Sequence, residues 1–155
     1  MPSGDLERRI QSLEDIEAIK KLKHSYCAYC DDHYDADALA DLFVEDAVWD
    51  GKERGRNEGR EAIRAFFKNA PQRLPFAIHM VLNPIIEVDG DRATGVWYLF
   101  QPCTYADGER AVWGSARYDE EYVRVNGEWK FQNLMLTSHF WTPFDGKGWV
   151  ETQFA

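Results

Sequence analysis

Residues 110–125 read RAVWGSARYDEEYVRV, residues 126–127 are Asn-Gly, and residues 128–141 read EWKFQNLMLTSHFW. Two runs rich in β-branched and aromatic residues, separated by Asn-Gly, form the strongest short-range hairpin signal a sequence offers. The pattern extends upstream. RATGVWYLFQPCTY at 92–105 reads as a strand leading into a loop at Asp107-Gly108, and Asp89-Gly90-Asp91 is a turn signal that joins it to AIHMVLNPIIEV at 77–88. The second half is therefore predicted to be an antiparallel meander of four strands, and Ala47–Asp50 adds a short strand before it.

The first half carries a different period. Leu13, Ile16, Ile19, Leu22 and Tyr26 recur at steps of three and four, which predicts one helix from about Asp5 to Cys30. A second helix is predicted over Asp35–Phe43 with Asp35 as its cap, and a third over Gly59–Asn69 with Pro71 just beyond its end. Helices followed by a meander indicate an α+β domain in which helices cover one face of a sheet. No repeat or low-complexity linker divides residues 1–155, so the chain reads as a single domain.

Composition excludes several functions. The chain has 27 Asp and Glu against 18 Lys and Arg, a net charge of −9. That balance disfavours nucleic acid and anionic membrane surfaces, both of which need clustered Lys and Arg. No apolar run reaches the roughly 18 residues of a membrane span, and Met1–Arg9 has no apolar stretch of a secretory signal. The expectation is a cytoplasmic protein with Cys27, Cys30 and Cys103 reduced. Aromatic residues are abundant at 14%, and such residues build either cores or ligand pockets.

Four stretches together carry a resemblance. They are AIKKLKHSYCAYCDDHYDADALADLF, EDAVWDG followed by GREAIRAFF, HMVLNPIIEVDGDRATGVWYLF, and the hairpin RYDEEYVRVNGEWKF. In order and spacing the chain resembles the SnoaL-like branch of the nuclear transport factor 2-like superfamily. The resemblance spans nearly the whole chain. It implies a cystatin-like cone, in which a long N-terminal helix and two shorter helices pack on a strongly curved, mainly antiparallel mixed sheet. It also implies a deep pocket and a lyase or isomerase needing no metal or organic cofactor, as in scytalone dehydratase, bile-acid dehydratase and lindane dehydrochlorinase relatives. Polyketide cyclases and the non-catalytic β subunits of ring-hydroxylating dioxygenases share the plan, so fold alone leaves these readings open. A homo-oligomer, trimer or dimer, is implied as well.

Asp31 and His79 fall on the Asp and His of the dehydratase and dehydrochlorinase relatives. An elimination needs a base that titrates near working pH, and a carboxylate on one ring nitrogen fixes the tautomer of such a His. Tyr26 falls on a reactive Tyr of the bile-acid dehydratases; it fits a hydrogen-bond donor and fits core packing equally well. Tyr26 and Asp31 are five residues apart, about 140° around a helix, so both can face one pocket only if the helix ends or bends near Cys30. Leu134 stands where the dehydrochlorinase has a halide-assisting Arg, which counts against a halide leaving group. Arg117 is the substitute cation, or else pairs with a surface carboxylate. Trp49, Phe76, Trp97, Leu99, Trp113 and Leu134 are the candidate pocket walls, suited to a small, apolar, cyclic substrate. The aromatic tail (Phe140, Trp141, Phe144 and Trp149) is expected to close the pocket or to pack on a neighbour.

His24, Cys27, Cys30 and His33 recur every three residues, but on a helix they spread over half the circumference and cannot close a tetrahedral site. No metal is expected. Neither a glycine-rich phosphate cradle nor a Ser nucleophile elbow is present.

Overall fold

A computed structural model describes residues 3–144 and contains three helices on a curled, mixed seven-stranded sheet. Helix α1 (Ser3–Asp31) is followed by α2 (Ala36–Asp41), β1 (Phe43–Asp50), β2 (Arg56–Glu58), α3 (Arg60–Arg73), β3 (Phe76–Ala77), β4 (Met80–Asp89), β5 (Arg92–Tyr105), β6 (Arg110–Val125) and β7 (Glu128–Pro143). The strand order is β2-β1-β7-β6-β5-β3, with β4 also on β5. The β1–β7 pair is parallel and all the others are antiparallel.

The meander follows from alternation. Along β5, Trp97, Leu99, Gln101, Cys103 and Tyr105 are buried at every second position. On β6 the buried set is Val112, Gly114, Ala116, Tyr118, Glu120 and Tyr122. This face wraps around α1, whose Ile19, Leu22, Tyr26 and Cys30 are buried against it. Each large apolar side chain removed from water contributes roughly 1.5–3 kcal/mol. Asn126 at φ 53° and Gly127 at φ 84° make the left-handed β6–β7 turn that Asn-Gly announced.

Three local expectations need correction. The apolar stripe of α1 begins later than expected: Leu13 is 65% exposed, while Asp15 between the stripe positions is buried. Asp15 turns inward because Arg124 Nη1 (2.6 Å) and Trp129 Nε1 (3.1 Å) donate to its carboxylate. Burial pushes that carboxyl up, but these donors outweigh it and hold the group below its usual range. Helix α3 runs on through Pro71 to Arg73. The proline falls in the last turn, and the Leu74 N–H still bonds the Ala70 carbonyl at 2.9 Å. The strand expected at 77–88 is broken in two at Ile78–His79, between β3 and β4. Asp35 caps α2 as expected, accepting from the Ala38 N–H at 3.1 Å. Among the described residues no helix is long and apolar enough to cross a membrane.

Candidate active site

The break at His79 is where the site begins. Instead of continuing a ladder, the His79 backbone N–H donates to Asp31 Oδ1 at 2.9 Å. The His79 ring returns to the same oxygen, with Nδ1 at 2.7 Å. A carboxylate accepts only, so Nδ1 is the donor, and in the neutral ring Nε2 then carries the lone pair. The His79 side chain is 7% exposed and that of Asp31 25%. Asp31 is the last residue of α1, so the helix ends there, directly after Cys30. The 140° between Tyr26 and Asp31 is met from the other side, because the segment carrying His79 comes round to the helix end. His33 and Tyr34, at φ 53° and 55°, turn the chain into α2.

His79 forms part of a narrow cleft. Tyr26, Tyr34, Trp49, Phe66, Phe67 and Tyr118 provide its aromatic walls, and Arg54, Arg73, Gln101 and Trp141 complete it. Tyr26 is 2% exposed, and its hydroxyl accepts from Trp49 Nε1 at 3.0 Å. Burial, with Cys30 and Tyr118 close by, pushes the Tyr26 phenol well above its ordinary value. It therefore holds its proton and can serve as a donor, not as a base. Tyr34 meets the His79 ring edge-on at 6.1 Å and stacks on Phe67.

Of the seven side chains expected to contact substrate, Trp49 is on this wall and the other six lie elsewhere. Phe76 is 53% exposed on the short strand β3. Trp97 and Leu99 are buried but do not line this cleft; Trp97 donates to the Tyr122 hydroxyl at 3.0 Å. Trp113 is on the opposite face of β6, where it stacks on Phe100 and meets Phe144 at a tilt. Arg117, on that same face, is paired with Asp119 at 2.7 Å. Leu134 is buried beside Trp49 in the β1–β7 register and borders a separate, wider cleft. The charged groups of that cleft already have partners: Arg56 pairs with Asp50, Asp119 with Arg117 and Glu120 with Lys23, while Glu121 accepts from Asn133. Alternation fixed which face each strand residue takes but not how deep it sits.

The wall residues not anticipated include Arg54, Arg73, Tyr34, Gln101, Phe66, Phe67 and Tyr118. Arg54 comes from a turn, Gly51 to Gly55, that follows the Trp49 strand. Gly55 has φ 109°, a conformation suited to glycine, and a Cβ on Gly51 would meet the Trp49 ring at 2.6 Å. Two glycines bracketing charged residues directly after Trp49 were the available signal. Of the aromatic tail, Trp141 closes the cleft, Phe144 is exposed, and Trp149 lies outside the described residues. Cys27, Cys30 and Cys103 are buried, free thiols. His24 is exposed and sits edge-on to Trp97. Among the described residues no three His, Cys, Asp or Glu side chains are arranged to hold a metal ion.

The SnoaL-like domain profile matches residues 11–135. An uncharacterized protein of Mycobacterium tuberculosis, Rv2910c, is 27% identical over 140 residues, covering 87% of this chain and 95% of that protein. The crystal structure of a hexachlorocyclohexane dehydrochlorinase (LinA) type 2 superimposes with a TM-score of 0.82 at 26% identity, covering 97% of each chain. A putative scytalone dehydratase from Novosphingobium aromaticivorans shares the fold, with a TM-score of 0.78 at 22% identity over 85% of this chain and 89% of that one.

Proposed function

The chain belongs to the SnoaL-like domain family and has the cystatin-like fold described for its structural neighbours, and from that premise we propose that it is a lyase or isomerase that removes a proton from a small, flat, cyclic substrate. The observation that carries this reading is the double hold of Asp31 Oδ1 on the backbone N–H and Nδ1 of His79. It leaves Nε2 as the one ring nitrogen able to accept a proton, in a wall of aromatic rings. That is the arrangement a general base needs.

In a dehydration, Nε2 takes the proton from carbon and Asp31 stabilises the imidazolium that forms. The C–O bond at the neighbouring carbon breaks, and the departing hydroxide takes that same proton from Nε2 and leaves as water. A double bond remains in the substrate and the imidazole is neutral again. Tyr26, protonated and hydrogen-bonded to Trp49, is placed to donate to a substrate oxygen. Absence of an Arg at Leu134 favours loss of water over loss of halide. The chain's own side chains carry all these steps, so no metal or organic cofactor is invoked.

The opposite sheet face fits self-association as a trimer or dimer. Leu82, Ile85 and Tyr98 are exposed there, beside the Phe100–Trp113 stack. Light scattering would give the stoichiometry.

The test of the catalytic reading is turnover of a panel of cyclic β-hydroxy ketones, with and without a carboxylate, alongside γ-hexachlorocyclohexane. Enone absorbance and chloride release report on the two leaving groups. The wild type is expected to convert at least one hydroxy ketone, and His79→Ala to lower that rate by about 10²–10⁴-fold with the fold intact. A His79→Ala protein that keeps its rate contradicts the mechanism.

A further inference from the structure

The wall of the cleft departs in charge from the rest of the molecule. The chain carries 27 acids against 18 Lys and Arg, yet the charged side chains of the wall, besides the titratable His79, are Arg54 and Arg73, and no Asp or Glu is among them. Asp31 lies behind His79 and is engaged by it.

Arg54 is held by neutral groups. Its Nη1 donates to Ser138 Oγ at 2.7 Å, and Trp141 Nε1 donates to the same oxygen at 3.0 Å. Its guanidinium lies 4.2 Å from the centre of the Trp141 ring. Trp141 in turn rests on Gly114, where a Cβ would come within 2.2 Å of the indole. The guanidinium is thereby fixed in orientation while its charge goes unanswered. Arg56, Arg64, Arg117 and Arg124 each pair with a carboxylate; Arg54 pairs with none among the described residues. A guanidinium has five N–H donors, and one of those on Arg54 reaches a described acceptor. Arg73, at the end of α3, packs over Phe66 and likewise pairs with no described carboxylate.

We propose that the substrate is a small cyclic carboxylate, bound through its carboxylate by Arg54, with Arg73 adding positive charge at the rim. The planar guanidinium fork matches a planar carboxylate, and the pair is charge-assisted. The ring then lies among Trp49, Phe66 and Tyr34, on the wall that carries His79. This inference rests on the cleft being the site of proton abstraction and narrows the class of molecule that enters it.

The experiment is a binding series on the full chain with benzoate, trans-cinnamate and 1-naphthoate, each against its primary amide. Calorimetry and tryptophan fluorescence follow binding, and Trp49 and Trp141 report directly from the wall. Carboxylates are expected to bind about 10-fold or more tightly than the matching amides to the wild type. Arg54→Gln should abolish the preference without weakening the amides, Arg54→Lys should restore part of it, and Arg73→Gln should reduce it by a smaller factor. Equal affinity of acid and amide overturns the proposal, as does a series in which no carboxylate binds or a preference that survives Arg54→Gln. The catalytic reading fails separately. A His79→Ala protein that keeps both its carboxylate preference and its turnover defeats the base assignment alone. His79-dependent turnover of neutral ketones, with no carboxylate preference, defeats this inference alone.

Discussion

Two of the polar pairs that helix α1 makes with the rest of the fold, Lys23–Glu120 and Asp31–His79, differ sharply in their surroundings. Lys23 pairs with Glu120 of β6, and both side chains are 0% exposed. Tyr122 donates to the other oxygen of Glu120, Trp97 donates to Tyr122, and the Lys23 ammonium lies 3.2 Å from the centre of the Tyr118 ring. Eight residues on, Asp31 pairs with His79, and there the carboxylate keeps a quarter of its surface. The Lys23 and Glu120 side chains are wholly enclosed and are engaged by each other and by Tyr122 and Tyr118. Asp31–His79 presents a free Nε2 at a cleft. A charged pair does chemistry only where one of its atoms lacks a protein partner; buried completely, the same kind of pair fixes the helix on the sheet.

The largest expected effect comes from breaking the enclosed pair. Lys23→Met strands Glu120 in the core and should cost about 3–5 kcal/mol in chemical denaturation. Replacing both partners, as Lys23→Met with Glu120→Leu, should recover much of that loss. Equal loss in the single and the double variant would show that the pair is not the source. At the open pair the balance reverses. Asp31→Asn should lower turnover by about 10²–10⁴-fold through loss of tautomer control, while denaturation shifts by no more than about 1–3 kcal/mol. A variant that unfolds but keeps its specific activity would make Asp31 structural, like Lys23.

The smallest effect is on the thiols that accompany the two pairs. Burial pushes Cys27, near Lys23, up to about 12, and Cys103 likewise to about 12. Cys30, on the cleft wall, is also raised strongly by burial. Below those values the thiols are neutral, so iodoacetamide at mildly alkaline pH should alkylate the native chain far more slowly than the denatured one. Mass spectrometry of the labelled peptides checks this. Fast labelling of Cys30 alone would show the cleft to be more open to water than its aromatic walls indicate.

The difference between the two regions also marks what the sequence could convey. Strands, hairpin and α2 cap are local, and their periods and turn residues expose them. Asp31 and His79 were legible because a carboxylate ending a helix and a His entering a strand match a family pattern. Lys23 escaped notice because a lysine on a helix face is ordinarily solvated, and only Glu120, 97 positions away, explains its burial. Most of the expected wall residues lie away from the His79 cleft for a related reason. Trp97, Leu99 and Leu134 are buried as alternation predicts, but which buried residues border a cleft depends on tertiary packing. Arg54 sits in a turn between strands, where periodicity carries no information about direction.

The central claim is that Asp31 holds His79 as the Nδ1–H tautomer with Nε2 free to take a proton. Long-range proton–nitrogen NMR on imidazole-labelled protein, at a pH where the ring is neutral, measures this without any substrate. The account predicts a protonated Nδ1 and an unprotonated Nε2 for His79, and a mixed population in Asp31→Asn. A His79 ring with its proton on Nε2, or a tautomer indifferent to Asp31→Asn, would contradict it.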